Sequence, residues 1–160
     1  PVAPTAILNA ASDSGTLGDG ITNDTTPTIS GTGNPNDVIR VTFPGSNEVV
    51  SVTVAGDGTW SVTPTQVAST GNVLVTATDT AGNVSPATNL PITIDSIAPT
   101  PSIIISSISD DTGVAGDFIT SDQTLTVNGS VNGLAAGESL QISIDGGTTW
   151  NILGVNKDVK

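Results

Sequence analysis

The chain has 160 residues and a formal charge of −12, from 15 acidic side chains against three bases, Arg40, Lys157 and Lys160. That balance argues against nucleic acid or insertion into an anionic membrane as partners and makes cations the natural ones. There is no Cys and no His, which excludes thiol and imidazole chemistry, disulfide staples and zinc or haem ligation, and leaves carboxylate, hydroxyl and amide.

The β-branched residues fall in short alternating runs between turn signals, a pattern that reads as all-β. In chain order the runs cover residues 5–10, 27–31, 38–43, 49–54, 59–63, 73–78 and 89–95. The turns between them are GNPND, FPGSN, AGDG and DTAGNVSP, clusters that supply positive φ, fixed φ or local side-chain bonds. Seven strands in this order predict an immunoglobulin-like antiparallel β-sandwich. A second set follows at residues 102–107, 124–130, 139–144 and 149–153, with no counterpart of VLVTATDTAGNVS after it. The expectation is therefore two domains in tandem, a complete one over 1–97 and one over 98–160 that lacks its last two strands. Such a second domain would leave apolar faces and open edges to be covered. The aromatics are Phe43, Trp60, Phe118 and Trp150, so any core must come mainly from Val, Ile and Leu. No stretch has the apolar length of a membrane span, and Pro1 opens without Met or a basic-then-apolar leader, so a segment of a longer chain is expected.

One acidic, glycine-broken phrase occurs twice. DSGTLGDGITND runs from Asp13 to Asp24, and DTGVAGDFITSD runs from Asp111 to Asp122, a constant offset of 98 (13 against 111). Ala3-Pro4-Thr5 returns as Ala98-Pro99-Thr100. Fixed spacing of this kind marks a tandem array.

In an immunoglobulin-like strand order, the loop joining strands one and two lies at the end where the last strand finishes. Asp13, Asp19 and Asp24 are therefore expected to gather near Asp95. Carboxylates brought together repel one another, and oxygen ligands on glycine-permitted turns suit a hard cation such as Ca²⁺. The opposite end carries Asp37, Asp57, and Asp79 with Asn83; the second unit offers Asp110, Asp111, Asp117 and Asp122. The phrase is not an EF-hand, because it lacks that loop's alternating ligands and terminal Glu. The competing reading is that Asp and Asn populate turns for backbone reasons alone.

SIDGGTTW, Ser143 to Trp150, fits the S-x-D-x-G-x-T-W pattern of the Asp-box of sialidase-like propellers. Catalysis in that family uses several arginines and a tyrosine nucleophile; this chain has one Arg and no Tyr, so an enzyme is not expected. The pattern predicts a hairpin in which Asp145 bonds turn amides and Trp150 packs on the strand. Asp110 and Asp111, read as neighbours on an extended segment, point to opposite faces and make no acid/base couple. The sequons at Asn23, Asn83 and Asn128 are a weak pattern, and the Thr-rich strands are explained by strand propensity before any hydroxyl array for sugar or ice.

Taken in order, APT at each domain start, D-x-G-x-x-G-D-x-I-T-x-D after the first strand, DGTWS and SIDGGTTW in mid-domain, DTAGNVS near the end and ITIDSIAPT as linker resemble the bacterial immunoglobulin-like repeats of giant calcium-dependent surface adhesins and biofilm-associated proteins. The resemblance spans nearly the whole chain. It implies export to the bacterial cell surface, many tandem copies, neighbouring repeats of the same polypeptide as partners, and calcium at domain junctions that stiffens a stalk. A self-assembling filament subunit completed by a strand from another chain, and a ligand-binding tip module, are the rival readings. The second unit departs from the first by turning directly from LQISI through DGG into TTWNI, without an equivalent of VVSVTV, which points to two subtypes.

Overall fold

The computed structural model of the protein describes residues 1–153. The chain divides into two compact units, Pro1–Ile97 and Ala98–Lys160. Among the described residues there is no helix long and apolar enough to cross a membrane.

The first unit contains β1 (Ile7–Leu8), β2 (Ile21–Thr22), β3 (Ile29–Thr32), β4 (Val38–Thr42), β5 (Val49–Thr53), β6 (Thr59–Val62), β7 (Gly71–Thr78) and β8 (Thr88–Ile94). They form two sheets, β1-β3-β6 and β2-β8-β7-β4-β5. Strand alternation sets what faces inward: along β4, Ile39 and Val41 are buried while Val38 and Arg40 are exposed. The same two-residue period points Val73, Val75 and Ala77 of β7 inward. These side chains meet Leu8, Ile29, Trp60 and Val62 from the smaller sheet, with Phe43, Val54, Ala68 and Ile92 completing the core. Phe43 is fully buried and Trp60 is 4% exposed, so two aromatics supply much of the bulk of an otherwise aliphatic interior.

Two expectations need amending. The first strand is not continuous over 5–10, because Asn9 opens a turn: its carbonyl accepts from the amides of Ser12 and Asp13, and its Oδ1 accepts from Ala11 N at 3.0 Å. After that turn the chain crosses to the other sheet and forms β2, a strand that the residue pattern does not announce. β2 pairs in parallel with β8, Ile21 with Thr93 and Thr22 with Ile94. One pair in the sandwich is therefore parallel, since a strand that has changed sheets arrives running in the same direction as the last one. The other pairings are antiparallel.

The second unit contains β9 (Ser102–Ile108), β10 (Val127–Asn132), β11 (Leu140–Ile142) and β12 (Asn151–Leu153). β9 pairs with β10, with a bulge between Asn128 and Gly129. At that point a Cβ on Gly129 would run into the Ile104 carbonyl oxygen. β11 pairs directly with β12, Leu140 opposite Leu153, the short hairpin expected of LQISI-DGG-TTWNI. Ile103, Ile104 and Ile105 are each more than half exposed. No described residue of this unit belongs to a buried apolar core.

Candidate cation-binding loop

The acidic phrase folds into a loop around two buried polar residues, Ser12 and Thr22. The Thr22 hydroxyl donates to the Ser12 carbonyl and accepts from Asp24 N at 2.9 Å. The Ser12 hydroxyl donates to Asp24 Oδ2 at 2.7 Å and accepts from Thr28 N at 3.0 Å. Asp24 Oδ1 accepts from Thr26 N at 2.9 Å, and Asp19 Oδ1 accepts from Ile21 N at 2.8 Å. Gly15, Gly18 and Gly20 turn the chain with φ of 75°, 86° and 75°, values that side chains with a Cβ rarely adopt. Asp13 closes the loop by accepting from Gly18 N at 2.6 Å on Oδ2.

The second unit repeats this network. Asp111 Oδ2 accepts from Gly116 N at 2.6 Å, Asp117 Oδ1 from Ile119 N at 2.9 Å, and Asp122 Oδ1 from Thr124 N at 2.8 Å. The Thr120 hydroxyl donates to the Asp110 carbonyl and accepts from Asp122 N. One substitution of roles occurs: the Ser109 hydroxyl bonds Asp122 and Thr126 N, so Ser109 and Asp110 divide the work done by Ser12 alone. Asp110 sits at φ 45°. It is thus a turn residue and not part of an extended segment, which corrects the expectation drawn from its adjacency to Asp111.

Asp13 is 8% exposed, and its Oδ1 is buried with no hydrogen-bond partner; Asp111 Oδ1 is in the same state. A buried anionic oxygen without a donor is costly, and native proteins rarely leave one unexplained. An oxygen-only donor of this kind, on a glycine-rich turn, fits a hard divalent cation.

The remaining candidates mostly serve their own turns. Asp57 Oδ1 accepts from the amide and hydroxyl of Thr59, and these two bonds, the hydroxyl first, lower its pKa. Asp79 holds the DTAGN turn through the Asn83 amide group at 2.9 Å and the backbone of Ala81 and Asn83; the Asn83 side chain is the main reason that its pKa falls. Asp122 is lowered first by the Thr124 amide and then by the Thr124 hydroxyl. Asp37 is buried, with Asn34 Nδ2 3.4 Å from its Oδ2. Asp95 N donates to the Thr22 carbonyl at 2.8 Å and its Oδ1 accepts from Ile97 N, so the last strand does reach the acidic loop. Even so, no three acidic side chains among the described residues converge on a place that could hold one ion. The gathering of Asp13, Asp19, Asp24 and Asp95 is not present, because each carboxylate turns toward nearby amides.

Sequence reasoning missed Ser12, Thr22, Ser109 and Thr120. The repeated I-T-x-D marks the two threonines, while the two serines stand at unmatched offsets and carry no such mark. It also missed Glu48, whose carboxylate ties the start of β5 to Thr65 and Gln66; the Gln66 amide is the largest cause of its lowered pKa. In SIDGGTTW, Asp145 accepts from Thr149 N and from the Ser143 hydroxyl, both at 2.8 Å. Trp150 does not pack as expected: it is 59% exposed, and its Nε1 donates to the Gly147 carbonyl at 3.2 Å. A cleft of about 610 Å³ in the first unit is lined by Thr5, Thr32, Val52, Thr59 and Trp60 among others, and no ionisable side chain lines it.

A two-sheet sandwich of this strand order defines the class: an immunoglobulin-like domain. Residues 1–96 match the bacterial Ig-like domain family, and the chain belongs to that family, whose members are typically structural repeat modules of surface proteins. No curated protein matches the chain.

Proposed function

We propose that the chain is a piece of the stalk of a large bacterial cell-surface adhesin, made of extender repeats that calcium stabilises and that hold an adhesive end away from the cell, in support of adhesion or biofilm formation. The observation that carries this reading is the acidic loop, built twice with closely matching hydrogen bonds and, in the first unit, fastened by Asp95 N to Thr22 O at 2.8 Å just ahead of the unit's last residue, Ile97. Bound calcium would offset the negative charge concentrated in each acidic loop and hold that loop rigid, which would stiffen a tandem array of such repeats.

Extracellular modules bind calcium with dissociation constants of about 10⁻⁴ to 10⁻³ M, so occupancy would follow extracellular rather than cytosolic calcium levels. Small-angle X-ray scattering of the whole chain tests the reading. Millimolar calcium is expected to lower the high-angle rise of the Kratky plot, the mark of flexibility, relative to a chelator; superimposable curves would contradict it. A second reading, a filament subunit completed by a strand from another chain, is favoured by the exposure of Ile103, Ile104, Ile105 and Trp150. In that case the scattering mass would rise with protein concentration.

A further inference from the structure

We infer that Asn132 is a modification site: it loses its side-chain amide spontaneously, through a cyclic imide formed with Gly133, while the same dipeptide earlier in the same strand is protected. Asn-Gly occurs at Asn128-Gly129 and at Asn132-Gly133, each time after Val. Both asparagines lie in β10 and both are exposed, so access to water does not separate them. The fold does. The reaction is intramolecular: the glycine backbone nitrogen, having given up its proton, attacks the Asn Cγ, and the new C–N bond closes a five-membered imide as the Cγ–Nδ2 bond breaks and ammonia leaves. Water then opens the ring at one carbonyl or the other, giving aspartate or isoaspartate. The net change is amide plus water to acid plus ammonia, with nothing oxidised or reduced. Attack requires the glycine nitrogen to swing round to the side of the Asn Cβ, a near-attack geometry that an extended ladder residue does not have. A following glycine, with no Cβ, obstructs that swing least.

Asn128 is held in the extended form. It lies inside the ladder opposite Ser107, and its Nδ2 donates to the Ser107 hydroxyl at 3.3 Å. Its carbonyl, in the same peptide plane as the Gly129 nitrogen, accepts from the Ser106 hydroxyl at 3.2 Å. Gly129 itself is hemmed in, since an added Cβ there would run into the Ile104 carbonyl oxygen. Asn132 is the last residue of β10 and pairs with Ser102 at the end of the ladder. Among the described residues nothing bonds its side chain. Gly133 turns away at φ 83°, and the nearest atom to a Cβ added there is 3.8 Å off, on Pro101. The peptide plane that must rotate at Asn132 therefore has room and lacks the bonds that pin it at Asn128. The product is a new acid beside Thr100 and Pro101, where the chain enters the second unit. In the isoaspartyl form the main chain is also one carbon longer at the end of the β9–β10 pair. Neither change reverses by itself, so the fraction modified rises with the age of the molecule.

The test is peptide mapping by mass spectrometry of the whole chain, incubated at neutral and mildly alkaline pH, both folded and in urea. In the folded chain Asn132 is expected to convert first, at a rate that rises with pH, to two products of equal mass that separate on chromatography. Asn128 is expected to convert at least about tenfold more slowly, as a misplaced near-attack geometry implies. In urea the two are expected to convert at similar rates. N132Q is expected to abolish the fast conversion and N128Q to leave it unchanged. Three results would overturn the inference: folded-state conversion of Asn128 as fast as that of Asn132, no conversion of Asn132 in the folded chain while the chain in urea converts, or a gap that persists in urea. The last would place the cause in the residue after the glycine, Ser130 or Leu134, and not in the fold.

Discussion

Asp145 shows how a single carboxylate can fix a turn in this protein. The Thr149 hydroxyl, then the Thr149 amide and the Ser143 hydroxyl, bond its charged form and bring its pKa down to about 2. A group whose folded pKa is depressed stabilises the fold above its unfolded value, near 4, and loses that contribution as pH falls through the folded one. The β11–β12 hairpin is thus expected to keep its Thr149 amide signal unchanged from neutral pH to about 4 and to lose it progressively toward about 2. A Thr149 signal that titrates near 4 would show that the bonds are not formed. This role was legible in the sequence, because S-x-D-x-G-x-T-W places donor and acceptor within a few residues of each other. The exposure of Trp150 was not, since it depends on what lies across the strand and not on the pattern itself.

At the scale of elements, the strands with strict alternation, β4 and β7, were legible because their period matches the pleat. β2 was not, being two residues long and held only by β8, 72 positions further on (21 against 93). Gly31 is another case in which distant parts decide. It lies opposite Trp60 between β3 and β6, where an added Cβ would fall 2.8 Å from Trp60 Cζ2 and closer still to the Thr5 carbonyl oxygen of the incoming chain. The missing side chain is what lets the indole lie against the small sheet. Gly31→Ala is expected to lower the stability of the first unit by roughly 1–3 kcal/mol, the usual range for overpacking, with a reduced midpoint in urea and an unchanged slope. An unchanged midpoint would mean that the chain before β1 moves aside without cost. In the acidic loops, the duplicated spacing made Asp13 and Asp111 candidates, but which of the acidic residues would keep an oxygen free depended on Ser12 and Thr22, which only the folded loop brings together.

For the whole molecule, the charge of −12 works against compaction, and the aliphatic core of the first unit is opposed by that repulsion at low ionic strength. A bound divalent cation in the loop at one end would offset part of it. At a tenfold excess over its dissociation constant, one site adds about 1.4 kcal/mol, which for a domain of this size corresponds to a rise in Tm on the order of 5–10 °C. Thermal melting of the chain in a chelator and in 10 mM calcium, at matched ionic strength, tests this most directly. The account predicts a higher Tm with calcium in the wild type and no change in the D13N/D111N double variant; a wild-type Tm that is the same in both buffers would contradict it.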